Sequence, residues 1–340
     1  MTTIAYRFMH AGTGNWIGLD PEFPLKELEP NEVHIRVRAA SLNFRDLIHA
    51  KKQLGRDYAG KVPLSDGAGE VVAIGSAVTR VKVGDRVVSC FFQSWISGRF
   101  QMSYHDSALG GSLNGMLAKD VILNEDGVVK IPPHLSFSEA ACLPCAGLTA
   151  WYSLVTRGEF QIGDTVLVLG TGGVSIFALQ LGVALGGRVA ITSSSDEKLV
   201  KAKALGAEFG VNYKTTPDWD KEIWKWSGKN GVDHIVEVGG PGTIGKSLNC
   251  VAPGGHIALV GVLSGVGPPD ASLFPLLSRN ATLSGIYVGS RNDFEKMNCY
   301  LAEKKIKPVV ERVFDFGNAI AAFKYLESAA HFGKVVIQID

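Results

Sequence analysis

Val33, Ile35 and Val37 alternate with His34, Arg36 and Arg38, the period-two pattern of a strand with one face buried. Between Gly69 and Ser89 two further apolar runs flank SAVTRVKVGDR, where Gly84-Asp85 is a turn signal. Short strands separated by turns predict a compact, partly closed β domain. From about Ser136 the rhythm changes. Ser138 is expected to cap a helix beginning SEAACLPCAGLTAWYSLV. DTVLVLG, a helix from Ser175 to Leu185, RVAITSSS and a helix from Asp196 to Leu205 then alternate. GVNY, VDHIVEVG, HIALVGV and TLSGIYVG continue the apolar runs, most with helical or loop segments between. That alternation predicts an α/β domain with a doubly wound parallel sheet. The last run, KVVIQID, returns to a strand that is expected to rejoin the first domain's sheet.

A length of 340 residues is enough for two domains, and 46% hydrophobic residues supply large cores. Forty glycines point to many tight turns and close backbone approaches. The net charge of +1 comes from 34 basic and 33 acidic residues mixed along the chain, so no basic arm or stripe marks a nucleic-acid partner. Every apolar run is broken by Gly or charge well before the roughly 18 residues of a membrane span. Residues Met1 to His10 carry no basic region followed by an apolar run, so no secretory signal is expected. Five scattered cysteines, an odd number, argue against a disulfide framework and for a reducing cytoplasm.

The loop Gly170-Thr171-Gly172-Gly173-Val174-Ser175 lies between a strand and a helix. Glycines there allow the backbone to turn sharply and approach a pyrophosphate, whose charge the helix amino terminus meets. Ser175 replaces the third glycine of the usual pattern, and the strand-loop-helix context restores the reading. Where NAD-binding chains place a carboxylate for the ribose 2′-hydroxyl, this chain has Ser193, Ser194 and Ser195. Asp196 and Glu197 suit the first turn of the next helix. Hydroxyls with Lys198 fit a 2′-phosphate, so NADP(H) is the expected cofactor, with Tyr213 bordering the adenine side.

At this point the chain resembles the medium-chain dehydrogenase/reductase superfamily, especially its zinc-independent, quinone oxidoreductase-like branch. The segments that carry the resemblance are NEVHIRVRAASLNFRD, DGAGEVVAIGSAVTRVKVGDRVV, KIPPHLSFSEAACLPCAGLTAWYSL, DTVLVLGTGGVSIFALQL, SSSDEKLVKAKALGAEFGVNY, GVDHIVEVGG and HFGKVVIQID, in order over nearly the whole chain. The resemblance implies a GroES-like β domain built from residues 1–147 with 289–340, and a Rossmann domain of residues 148–288 inserted between. It also implies that Thr149 lies near the nicotinamide and that Gly172, Gly173 and Val174 form the diphosphate loop. Ser193, Lys198 and Tyr213 match the adenosine-phosphate region, and Gly239, Val262 and Tyr287 match segments running beside the cofactor. A homodimer follows from the same resemblance, with TLSGIYVG as a candidate edge.

Zinc-containing relatives use a Cys, a His inside Gly-His-Glu, and a second Cys. Here those positions read Asn43, then Leu64-Ser65-Asp66, and only Cys145 keeps its type. One thiol and a nearby carboxylate fall short of the three or four ligands zinc requires, so no metal is expected. No cysteine lies between Cys90 and Cys142 to build a structural zinc lobe. Cys142 and Cys145 form a CxxC pair inside an apolar stretch, the setting of buried, inert thiols. Without a Lewis acid, an enone, quinone or related carbonyl suits the chemistry, because its developing oxyanion needs only hydrogen bonds. Asn43 is the first candidate to contact substrate or nicotinamide ribose; its bland alternative is a loop amide holding backbone. Tyr58 is either a donor to the carbonyl or a packing residue. Arg45 and Asp46 read as a structural ion pair or a helix start, and all eight histidines, His49 included, as surface or packing residues. Trp219, Trp224 and Trp226 have the spacing of a helix packed on the sheet. The expected function is zinc-independent, NADPH-dependent hydride transfer to such a substrate. The alternatives are a metal-free alcohol or aldehyde dehydrogenase, and a non-catalytic NADP(H)-binding sensor or structural protein.

Overall fold

A computed structural model describes residues 1–9, 16–53, 55–269 and 271–340. The chain divides into two compact units, Met1–Leu148 with Gly289–Asp340, and Thr149–Val288. The first unit is the GroES-like β domain and the second the Rossmann domain.

In the first unit the alternating segment forms the strand Glu32–Ser41. Val33, Ile35 and Val37 are buried while Arg36 faces solvent, as period two requires. This strand pairs antiparallel with Asp66–Ile74 on one side and with Lys334–Gln338 on the other, and Asp120–Asn124 also pairs along it. The strand Lys334–Gln338 thus rejoins the first sheet, which has seven strands among the described residues. A core of Val33, Ile35, Val71, Val87, Phe323 and Ile337 lies against this sheet.

In the second unit six strands lie parallel among the described residues. Their order is Phe209–Asn212, Arg188–Ser193, Thr165–Leu169, Val232–Glu237, Val251–Leu259, Thr282–Gly285. The strand first in sequence is central, and the chain winds outward from it in both directions. A doubly wound sheet of this order binds ligands where the winding reverses, at the carboxyl ends of its strands. The helix Gly173–Ala184 is apolar on most of its surface because it is buried against that sheet. Trp219 is buried, Trp226 stacks on Phe209 with ring centroids 6.1 Å apart, and Arg279 lies over Trp224, so the tryptophans pack.

Two helix readings need correction. Ser136, not Ser138, caps the helix Phe137–Ala140, because Glu139 falls three residues after it and closes a capping box. The stretch that follows is not one α-helix: Leu143–Gly147 and Tyr152–Thr156 are π-helical turns around a short α-helical Leu148–Trp151. Among the described residues no helix is long and apolar enough to cross a membrane.

Candidate cofactor and substrate sites

Because the second unit's strands are parallel, the residues expected to hold cofactor share one edge of its sheet. Gly170 to Ser175 follow Thr165–Leu169, Ser193 closes Arg188–Ser193, and Tyr213 follows Phe209–Asn212. Gly239, Val262 and Tyr287 follow the last three strands. Gly170 has φ 72°, which lets the chain leave the strand sharply. Gly172 is the N-cap of the helix Gly173–Ala184, and no side chain caps that helix. A Cβ added at Gly172 would meet nothing within 4 Å. An open space in front of a helix amino terminus, with backbone amides facing it, suits a pyrophosphate. Val174 lies in the first turn of the same helix. The buried Ser175 donates from Oγ to the Leu169 carbonyl at 2.6 Å, tying the helix start to the strand end, which accounts for serine in place of the third glycine.

Ser193 is buried and accepts a hydrogen bond from the Ser195 amide at 3.2 Å. Ser195 caps the helix Asp196–Ala204 by accepting from the Lys198 amide, and Ser194 is half-buried between them. Asp196 accepts from Asn212 Nδ2 at 2.8 Å, so that carboxylate is engaged beside the helix start. Tyr213 is 41% exposed, and its amide donates to the Ser193 carbonyl. The wholly buried Glu237 accepts from the amides of Gly239 and Gly240 at 2.8 and 3.1 Å and from Thr243 and Ser247, fixing the loop after its strand. Thr149 is buried in Leu148–Trp151, and its carbonyl accepts from Ser153 Oγ at 2.7 Å.

In the first unit Asn43 is the N-cap of the helix Phe44–Ala50, and its amide donates to Asp46 Oδ2 at 2.8 Å. Its side-chain Oδ1 accepts from the Lys334 ammonium at 2.6 Å, and the same ammonium donates to the Leu42 carbonyl at 2.6 Å. Lys334 is only 3% exposed. Asn43 Nδ2 is buried and lies toward the Asp66 carboxyl without a well-formed hydrogen bond. An orphan donor of this kind costs about 1–3 kcal/mol. Asp66 is wholly buried; its two oxygens accept from Ser65 Oγ at 2.6 Å and from the Cys145 amide at 3.1 Å. Burial pushes its carboxyl above the usual range, against the pull of the Lys334 charge. Leu64 holds a left-handed φ of 69° while wholly buried, so it keeps the backbone shape a glycine would supply at the head of this motif.

These donors do not fit zinc. Asn43 Oδ1 already carries an ammonium, both Asp66 oxygens are engaged, and burial followed by the Asp66 charge pushes the Cys145 thiol far up. Among the described residues no three of His, Cys, Asp and Glu come together as a metal cluster. Burial likewise pushes the Cys142 thiol to about 12, the condition of an inert cysteine.

The remaining candidates pack. Tyr58 lies against the core with its ring 4.3 Å from His49. His49 Nδ1 faces the Gly110 carbonyl at 3.0 Å, and burial with the Arg45 charge lowers its pKa to about 3. Arg45 and Asp46 form a 3.6 Å ion pair at the helix start, where Arg45 lies over Phe91 and donates to the Leu109 carbonyl. Burial lifts the Asp46 carboxyl to about 6 against Arg45. His10 lies outside the described residues. The sequence reading passed over Lys334 and Glu237. Lys334 is the single charge of the apolar run KVVIQI and Glu237 the single charge of the apolar stretch IVEVGG, and that isolation is the signal that finds them.

Residues 29–133 match the alcohol dehydrogenase GroES-like domain, and residues 173–303 match the zinc-binding dehydrogenase domain. A zinc-type alcohol dehydrogenase-like protein of Schizosaccharomyces pombe is 44% identical over 94% of both chains. A 2-methylene-furan-3-one reductase of Solanum lycopersicum is 32% identical over 98% of this chain and 78% of its own. Among solved structures, a putative alcohol dehydrogenase of Sinorhizobium meliloti 1021 superposes with a TM-score of 0.92 at 38% identity over the whole of both chains. A quinone oxidoreductase of Coxiella burnetii gives 0.78 at 26% identity, also over both whole chains. The chain belongs to the medium-chain dehydrogenase/reductase superfamily of oxidoreductases, in its quinone oxidoreductase-like branch.

Proposed function

We propose that the protein reduces an enone, quinone or related carbonyl with NADPH and without a metal. The observation that carries this reading is the buried Lys334 ammonium bonded to Asn43 Oδ1, a fixed cation of the chain's own among the positions where zinc-containing relatives hold their metal. The name of the 32% identical tomato relative, a 2-methylene-furan-3-one reductase, supports an enone substrate. The open cradle before Gly173 supports a pyrophosphate, and Ser193 in place of a carboxylate, with Lys198 in the following helix, supports a 2′-phosphate. Bound there, the nicotinamide supplies a hydride. Gly172, Gly173 and Val174 hold the diphosphate and Thr149 borders the nicotinamide. Hydride adds to the β-carbon, the carbon–carbon π pair shifts to form the enolate double bond, and the carbonyl π pair moves onto the oxygen, to which Asn43 donates a hydrogen bond; the enolate then takes its proton at the α-carbon from solvent. Tyr58, packed on His49, is kept as a lesser candidate donor.

The names of the Schizosaccharomyces and Sinorhizobium relatives favour a second reading, an alcohol or aldehyde dehydrogenase, which the donors around Asn43 would make metal-free in this chain. Initial rates with NADPH and NADH, across enones, quinones, aldehydes and alcohols, separate the two. Saturable NADPH oxidation by enones or quinones is the expected result; turnover confined to alcohols and aldehydes selects the second reading, and none at all points to a binding protein. The assignment extends to a small-molecule partner, a cytoplasmic setting and a homodimer. Leu273, Phe274 and Leu277 are exposed just before the edge strand Thr282–Gly285, which supports pairing with a second copy.

A further inference from the structure

Resting on the reductase reading, we propose that Lys334 is a positioning residue that locks the Asn43 amide so that Nδ2 donates to the substrate oxygen on which charge develops. Lys334 opens the strand Lys334–Gln338, followed by the buried Val335, Val336 and Ile337, an apolar setting in which an ammonium needs a specific reason to sit. An ammonium has three donors and no acceptor, so it engages only the oxygen of an amide. With Lys334 on Oδ1 at 2.6 Å, the amide of Asn43 cannot flip, and Nδ2 is committed to the opposite side. The backbone of the same residue is held from the other direction by Asp46. Asn43 is therefore fixed at both ends, with Nδ2 turned toward the Asp66 carboxyl without a well-formed hydrogen bond; of its two N–H groups one faces that carboxyl and the second is the donor offered to substrate. Hydrogen bonding at Oδ1 polarises the amide and strengthens its N–H as a donor. A donor fixed before the reaction contributes most where negative charge appears during it.

Lys334→Met removes the lock and keeps most of the side-chain volume; Lys334→Gln, which keeps a neutral donor, is the second variant if Met fails to fold. For enone reduction kcat is expected to fall about 100-fold while KM for NADPH stays within about 2-fold. Asn43→Ala is expected to lower kcat similarly, and the double variant to fall no more than about 3-fold further, because both changes remove one device. A raised KM for NADPH with kcat retained would assign Lys334 to the cofactor phosphate and overturn the proposal, as would additive losses. A second readout needs no turnover. The Asn43 side-chain amide signals, assigned by their loss in Asn43→Ala, should shift in Lys334→Met; unchanged signals overturn the lock. A wild type inactive on every enone and quinone overturns the reductase reading, while the amide signals still report on the lock.

Discussion

The corner after Thr165–Leu169 and the corner after Glu32–Ser41 are built alike, each a strand running into the amino terminus of a helix, yet one is open and the other filled. At the first, Gly172 is the N-cap and an added Cβ meets nothing within 4 Å. At the second, Asn43 is the N-cap and its polar atoms are drawn into a buried network of Lys334, Asp46 and Asp66. An open helix start awaits an anion from outside. The filled corner already contains its countercharge, a lysine from the far end of the chain. Substitutions at the open corner should therefore read out in ligand binding with the fold intact, and those at the filled corner in stability or turnover.

The largest effect is expected where the filled corner has least room. A Cβ at Gly115 would lie 2.1 Å from the Leu64 carbonyl, against the left-handed residue that leads into Ser65 and Asp66. Gly115→Ala should cost about 4 kcal/mol in urea unfolding, above the ordinary range for overpacking because backbone is struck. A loss below about 1 kcal/mol would mean that this corner yields easily. At the open corner, Gly172→Val should weaken NADPH binding about 100-fold by calorimetry, which is about 2.7 kcal/mol, and shift Tm by no more than about 2 °C. Equal affinity would make the loop a packing turn only.

His49 sharpens the comparison through pH. Its folded pKa of about 3 lies below the ordinary value of 6.5, so its contribution to stability is complete above pH 6.5 and is lost as pH falls toward 3. His49→Phe keeps the ring against Tyr58 and removes the titration. Between pH 7 and 4 wild type should lose about 2 kcal/mol more than the variant, allowing for solvent at a partly exposed ring. Parallel losses would show that His49 is hydrated in the folded protein. Smaller still is the expected floor for cofactor choice. Ser193→Asp sets a carboxylate against a 2′-phosphate and should shift the NADPH-to-NADH ratio of kcat/KM by at least about tenfold, and Lys198→Ala the same way by less. A wild type that already prefers NADH would refute the NADP assignment.

The open corner was legible in the sequence because its signal is local. Glycines between an apolar strand and a helix report a backbone shape that neighbouring residues determine, and Gly170 to Ser175 stand at the central strand's carboxyl end. The filled corner was legible by halves. Asn43 and Ser65-Asp66 could be placed as replacements for metal ligands, but their partner Lys334 lies 291 residues from Asn43 and is joined to it only by the pairing of the last strand with Glu32–Ser41. Two serines, Ser136 and Ser138, precede the same helical run, and the position of Glu139 three residues after Ser136 makes Ser136 the cap. The π-helical turns beside Cys145 left no mark that periodicity could detect.

The central claim, metal-independent reduction with NADPH, is tested most directly by zinc content and enone-dependent NADPH oxidation measured on one chelator-treated preparation. Zinc well below one atom per chain and a rate unchanged by the chelator are the expected results. Activity that disappears with the chelator and returns with added zinc would contradict the claim.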